Sequence, residues 1–222
     1  MAIPMLFSAP NFAADDDAQA CSNPRSDLLG AFARFRKSSV PEIGLRAGDP
    51  VPVIVLKDAK GRHRALSDDI RRGPVVLVFD AGPWNPSRDS FYEALLRVEP
   101  EIQGLGGTLV LISSASPRKR DTSAKSAGGG VVQLIDLDSQ IAALFGVVAP
   151  VPDELRAMYA DEGYYTPSHA DEAWCLPLSA TYVIDGLGSI AYSSIGEPEL
   201  LVSEPTEVVT ILRCLKSRSP AA

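Results

Sequence analysis

The chain has 222 residues, enough for one domain with extensions, and its 45% hydrophobic and 22% charged content is that of a globular protein with a buried core. Its net charge of −7 makes nucleic acid a poor partner, because an acidic surface repels phosphate backbones, and no apolar run approaches the roughly 20 residues of a membrane helix. The cysteines Cys21, Cys175 and Cys214 and the histidines His63 and His169 are scattered without ligand-like spacing, which argues against a disulfide scaffold and against a metal site.

Residues 1–24 read as an irregular tail. Their short apolar run follows no Lys or Arg and meets Asp15-Asp16-Asp17, a poor fit to a secretory leader, so the expected compartment is the cytoplasm. Residues 25–43 read as a helical extension: Leu28, Leu29, Phe32 and Phe35 recur at helical spacing, and Ser26 or Asp27 can cap the start. Such a helix either packs on the core or forms a homodimer contact. Residues 44–218 read as one domain.

Within that domain, "GDPVPVIVLKDAKGRHRALSDDI" predicts an extended segment, a turn at Lys60-Gly61, a short strand and a helical turn near Ser67. "GPVVLVFD" is a continuous apolar run of β-branched and aromatic residues, the pattern of a central strand buried on both faces. Residues 86–105 follow helical spacing through Phe91, Leu95, Val98 and Ile102 and end in the Gly104–Gly107 region. "TLVLISS" and "VVQLIDL" predict two more buried strands. Between them "PRKRDTSAKSAGGG" reads as a polar, basic and solvated stretch, whose glycine run lacks the Lys and Ser/Thr of a phosphate loop. "DSQIAALFGV" and residues 152–160 predict helices, "YYTPSHADEAW" a polar loop, and "ATYVIDGLGSIAYSS" a hairpin about Gly186-Leu187-Gly188. "EPTEVVTILRCLKS" predicts a closing amphipathic helix with Pro205 in its first turn and Cys214 in its core face. Alternating strands and helices imply an α/β fold, a mixed central sheet with helices on both faces.

Candidate chemistry concentrates in "FDAGPWNPSR", where the central strand hands over to a helix. Asp80 stands at the strand end where ligands of such sheets sit, Trp84 at the pocket edge, Asn85 at an N-cap position and Pro86 at the first helical position. Arg88 either pairs with Asp80, Asp89 or another neighbour, or joins the helix amides in receiving a small anion.

The order of elements, together with "LRAGDPVPVIVLKDAKGRHRALSDDIRRGPVVLVF", "LVLISSASP", "IDLDSQIAALFGV", "VPDELRAMYADEG" and "WCLPLSATYVIDGLGSIAY", resembles the peroxiredoxin-like branch of the thioredoxin fold. More narrowly it is similar to the alkyl hydroperoxide reductase/thiol-specific antioxidant family, in the subgroup that carries Trp-Cys-Pro-x-Cys, over about residues 44–215. The resemblance implies a thiol-dependent oxidoreductase without a cofactor, often dimeric, with its cysteines at positions 85 and 88. This chain has Asn85 and Arg88 there, while Trp84 and Pro86 match. Ser179 stands where the family has a proline before the hairpin strand, with Pro177 two places upstream; Thr181 follows on the same pocket side.

A reactive cysteine works because a helix N-terminus and positive charge stabilise its thiolate, and neither Asn nor Arg is a nucleophile. The expectation is a degenerate scaffold whose former pocket or surface binds a partner, a small anion or another small molecule. The alternative is an active oxidoreductase that uses Cys175, or a sulfur-free reaction in the old pocket.

Overall fold

The computed structural model describes residues 44–80, 88–114, 130–151, 153, 156, 175–195 and 205–218. The domain opens with β1 (Val55–Asp58) and β2 (His63–Ala65), joined by a turn in which Asp58 accepts the amides of Lys60 and Arg62 at 2.8 and 2.9 Å. Gly61 takes a positive φ of 80° there, which only a residue without a side chain adopts freely. The short helix α1 (Leu66–Ile70) follows directly. Its buried Asp69 is held by the Arg64 guanidinium, with Nε donating to Oδ2 at 2.9 Å, so β2 and α1 are tied by charge as well as by chain.

β3 (Val75–Asp80) is buried at every residue, as its uninterrupted apolar sequence requires of a strand covered on both faces. It leads to α2 (described from Arg88 to Gly104), then β4 (Thr108–Ser113), β5 (Val131–Ile135) and the short α3 (Gln140–Leu144). β6 (Val148–Pro150) and β7 (Cys175–Pro177) form a separate antiparallel ribbon; β8 (Ala180–Ile184), β9 (Ile190–Ile195) and α4 (Pro205–Arg218) complete the chain. The main sheet has seven strands in the order β2-β1-β5-β4-β3-β8-β9. β3, β4 and β5 run parallel, and the outer strands are antiparallel to their neighbours.

Alternation along the strands splits the core into two layers. Leu77 and Phe79, Val110 and Ile112, Leu134, and Ala180 and Tyr182 face α3 and the Phe145 ring. Phe79, Phe145 and Tyr182 stack as one aromatic cluster, with centroid separations of 5.0, 6.1 and 4.9 Å. Val76 and Val78, Leu109 and Leu111, and Val183 face Leu95 and Ile102 of α2 and Val208 and Leu212 of α4. The mixed sheet with helices on both faces is therefore the predicted one.

Three features depart from the sequence pattern. The helix expected over "DSQIAALFGV" contracts to five residues, because Ser139 takes a left-handed φ of 53° at its start and Gly146 a φ of 67° just beyond its end. The β6–β7 ribbon was not foreseen. Cys214 is exposed, against the expectation of a core position: α4 turns Val208, Val209 and Leu212 inward, and Cys214 lies two residues past Leu212 on the far side. Of the helix expected over residues 152–160, Asp153 and Arg156 are helical and the rest lies outside the described residues, as do the tail, the 25–43 extension, the basic stretch after β4 and the polar loop before β7. No helix among the described residues is long and apolar enough to cross a membrane.

Candidate functional site

The parallel strands β3 and β4 end together. Their register pairs Phe79 with Ile112 and Asp80 with Ser113, so a carboxylate and a hydroxyl stand side by side where both strands stop. On the other flank β8 pairs Ala180 with Phe79 and Thr181 with Val78, which brings Ser179 level with Asp80. Alternation puts Asp80, Ser113, Ser179 and Thr181 on the α2 side of the sheet, directly beyond Val78 and Leu111. All four are buried, with exposures of 2, 3, 6 and 3%.

Polar groups buried at the end of an apolar layer cost free energy unless they are satisfied. Asp80 and Ser113 engage in polar interactions. The Thr181 hydroxyl is buried and has no hydrogen-bond partner. The arrangement thus offers one carboxylate acceptor and three hydroxyls, of which one is uncommitted, at the carboxyl end of parallel strands where α/β sheets bind ligands. Among the described residues it contains no thiol and no imidazole.

Of the residues singled out in the sequence, Asp80, Ser179 and Thr181 are brought together here. Trp84, Asn85 and Pro86 lie outside the described residues; Arg88 is the first described residue of α2, and its side chain is outside the description. Cys175 is half-buried in β7, opposite Pro150, and three residues of chain separate it from Ser179. His63 is exposed on β2. Ser113 was not anticipated, although its place at the end of the second apolar strand was a usable signal once the strands were set in register. No group of three or more His, Cys, Asp or Glu that could hold a metal occurs among the described residues.

A second polar region lies at the same end of the sheet. β1 and β5 pair only through Lys57–Ile135 and Asp58–Leu134, and beyond that they part around a cleft of about 550 Å³ lined by Val55, Lys57, His63, Asp136, Leu137 and Gln140, among others. Asp136 is buried and accepts the Ala142 amide at 3.0 Å. Burial pushes its carboxyl above the usual aspartate range, while the amides of Ala142, Ile141 and Gln140 pull against that rise. Asp58, at the cleft rim, is held below the usual range by the amide of Arg62 first, with the Arg62 guanidinium and the Lys60 amide assisting.

The profile of the AhpC/TSA family matches residues 47–193. No curated protein sequence matches the chain. Among solved structures, the peroxidoxin BcpB from Mycobacterium tuberculosis is similar at 22% identity and a TM-score of 0.60, with 77% of this chain and 97% of that one covered. Peroxiredoxin Q from Xanthomonas campestris is similar at 15% identity and a TM-score of 0.53, over 74% of this chain and 90% of that one. Reduced Prx3 from Vibrio vulnificus, solved with hydrogen peroxide, matches at 12% identity and a TM-score of 0.51, over 68% and 87%. At these identities the structural likeness speaks for the fold.

Proposed function

The chain belongs to the AhpC/TSA family, and from that premise we propose that it is a sulfur-free member of it, without thiol peroxidase activity, whose former active-site end binds a small molecule or small anion. The observation that carries this reading is the sequence Trp84-Asn85-Pro86-Ser87-Arg88, which has no cysteine at either position where the family subgroup has one. Thiol peroxidase chemistry needs a thiolate to attack the peroxide oxygen, and Asn and Arg supply none. The exposed position of Cys214 on α4 and the position of Cys175 in the β6–β7 ribbon are in keeping with this. In the proposed pocket Asp80, Ser113, Ser179 and Thr181 form the floor, and the sequence alone nominates Trp84, Asn85, Pro86 and the anion-binding Arg88 as their companions.

The half-buried Cys175, four residues before Ser179, favours a second reading, an oxidoreductase that reacts through that thiol. One experiment separates the two. Stopped-flow mixing with hydrogen peroxide and with an organic hydroperoxide gives no turnover under the first reading. Turnover at peroxiredoxin-like rates that disappears in Cys175→Ser overturns it in favour of the second. Titration of small anions against the wild type and Arg88→Ala tests the binding half: equal affinity for both proteins removes Arg88 from the site.

A further inference from the structure

The large apolar side chains exposed among the described residues are Val53, Val55, Leu137, Leu144 and Leu187. Leu187 is at the tip of the β8–β9 hairpin and Val53 precedes β1, whereas Val55 and Leu137 line the β1–β5 cleft and Leu144 ends α3. These two cleft residues are 52 and 49% exposed. Leu144, 57% exposed, lies seven residues beyond Leu137 on the outer side of α3. An apolar strip beside an open cleft calls for a cover.

The chain itself carries a segment of matching chemistry. Residues 26–37, "SDLLGAFARFRK", have the spacing of a helix with Leu28, Leu29, Phe32 and Phe35 on one face. Such a helix would be about 18 Å long. The described domain begins beside α3: the Leu45 amide donates to the Phe145 carbonyl at 2.9 Å, and a Cβ on Gly44 would stand 2.5 Å from the Ile195 side chain and 3.8 Å from the Phe145 carbonyl. The described chain thus enters between the end of α3 and edge strand β9, four strand spacings, or about 19 Å, from β5. Residues 37–43 can span up to about 25 Å, enough to cross that distance. Charge agrees as well: residues 25–37 contain Arg25, Arg34, Arg36 and Lys37 against Asp27, whereas the cleft lining contains Asp136, Asp138 and the Arg62-paired Asp58 against Lys57.

We propose that residues 26–37 dock in cis on the strip formed by Val55, Leu137 and Leu144, with Phe32 or Phe35 in the β1–β5 cleft and the basic end of the segment towards Asp138. The short tether gives the intramolecular contact an effective concentration that a second copy does not reach at dilute protein.

Hydrogen exchange on the full chain tests this. The expected result is that amides of residues 28–36 exchange at least about tenfold more slowly than an unstructured chain. That protection should not depend on protein concentration. In Leu137→Lys/Leu144→Lys it should vanish while β3 and β4 amides keep theirs; in Phe32→Ser/Phe35→Ser the amides of α3 should lose protection reciprocally. Exchange of residues 28–36 at the unstructured rate in the wild type overturns the proposal. Protection that survives the Leu137/Leu144 change places the segment elsewhere, and protection that grows with concentration makes the occupant a second copy; either result also overturns it.

Discussion

Asp80 and Ser113 end neighbouring parallel strands in the same register, so the last residue of one apolar run meets the last residue of the next as a carboxylate–hydroxyl pair under α2. Two buried polar groups so placed should not act independently. Asp80→Ala is expected to cost about 1–3 kcal/mol, because it removes a buried, engaged carboxylate, and Ser113→Ala less. The double variant should fall short of the sum by about 0.5 kcal/mol or more in urea unfolding. Strict additivity would separate the two side chains energetically.

The hydroxyls of Thr181 and Tyr182 are both buried without a partner, one on each side of the sheet. Burial pushes the Tyr182 phenol far above its ordinary value, so it is neutral at every working pH. Removing an unsatisfied hydroxyl removes a desolvation cost. Tyr182→Phe and Thr181→Val are therefore expected to leave stability within about 1 kcal/mol of the wild type, or to raise it. Thermal melting reads this directly, and a loss of several degrees would reveal a partner for either group.

Asp136 supplies a pH signature. Its folded pKa lies above the unfolded value because of burial, so the folded chain binds the extra proton between those two values. Its contribution to stability is thus greatest below the ordinary aspartate range and declines as pH rises through the folded pKa. Asp136→Asn keeps an acceptor for the Ala142 amide and should flatten that part of the stability–pH curve; Asp136→Ala should cost about 1–3 kcal/mol across the range by leaving α3 amides unpaired. Denaturation midpoints between pH 3 and pH 7 give the comparison.

Arg64 and Asp69 are unequal partners: the carboxylate is 1% exposed and the guanidinium 30%. Asp69→Ala should cost about 2 kcal/mol, less than for a fully buried pair, because the freed Arg64 still reaches water. Arg64→Ala should cost more than Asp69→Ala, since it leaves the buried carboxylate only the looser pair with Arg72 at 3.7 Å. Chemical denaturation of the two variants measures the order.

The central layer was legible in the sequence for a simple reason. β3 and β4 are apolar between their polar ends and β5 is broken only by Gln133, and such runs have few other places to go. The β8–β9 hairpin was legible through its Gly186–Gly188 turn, and α4 through its period. The β6–β7 ribbon was not: each strand has three residues and ends in a proline, Pro150 and Pro177, and their pairing is remote in sequence. The truncation of α3 hinges on one left-handed residue, Ser139, whose side chain gives no hint of it. At the candidate site, Asp80, Ser179 and Thr181 were found from their places relative to strands and resemblance, whereas Ser113 needed the register. The exposure of Cys214 turned on which face of α4 meets the sheet, a fact the helix's own period leaves within a residue or two.

Pro150 and Cys175 pair directly in the small ribbon, so the chain departs at residue 151 and comes back at residue 174 through a single clasped doorway. Whatever length is added or removed inside that doorway is not transmitted to the seven-stranded sheet, and doubling it would cost only about 0.6 kcal/mol in closure entropy. With both ends of that stretch held by the ribbon, a change in its length leaves Ser179 in place at that small entropic cost.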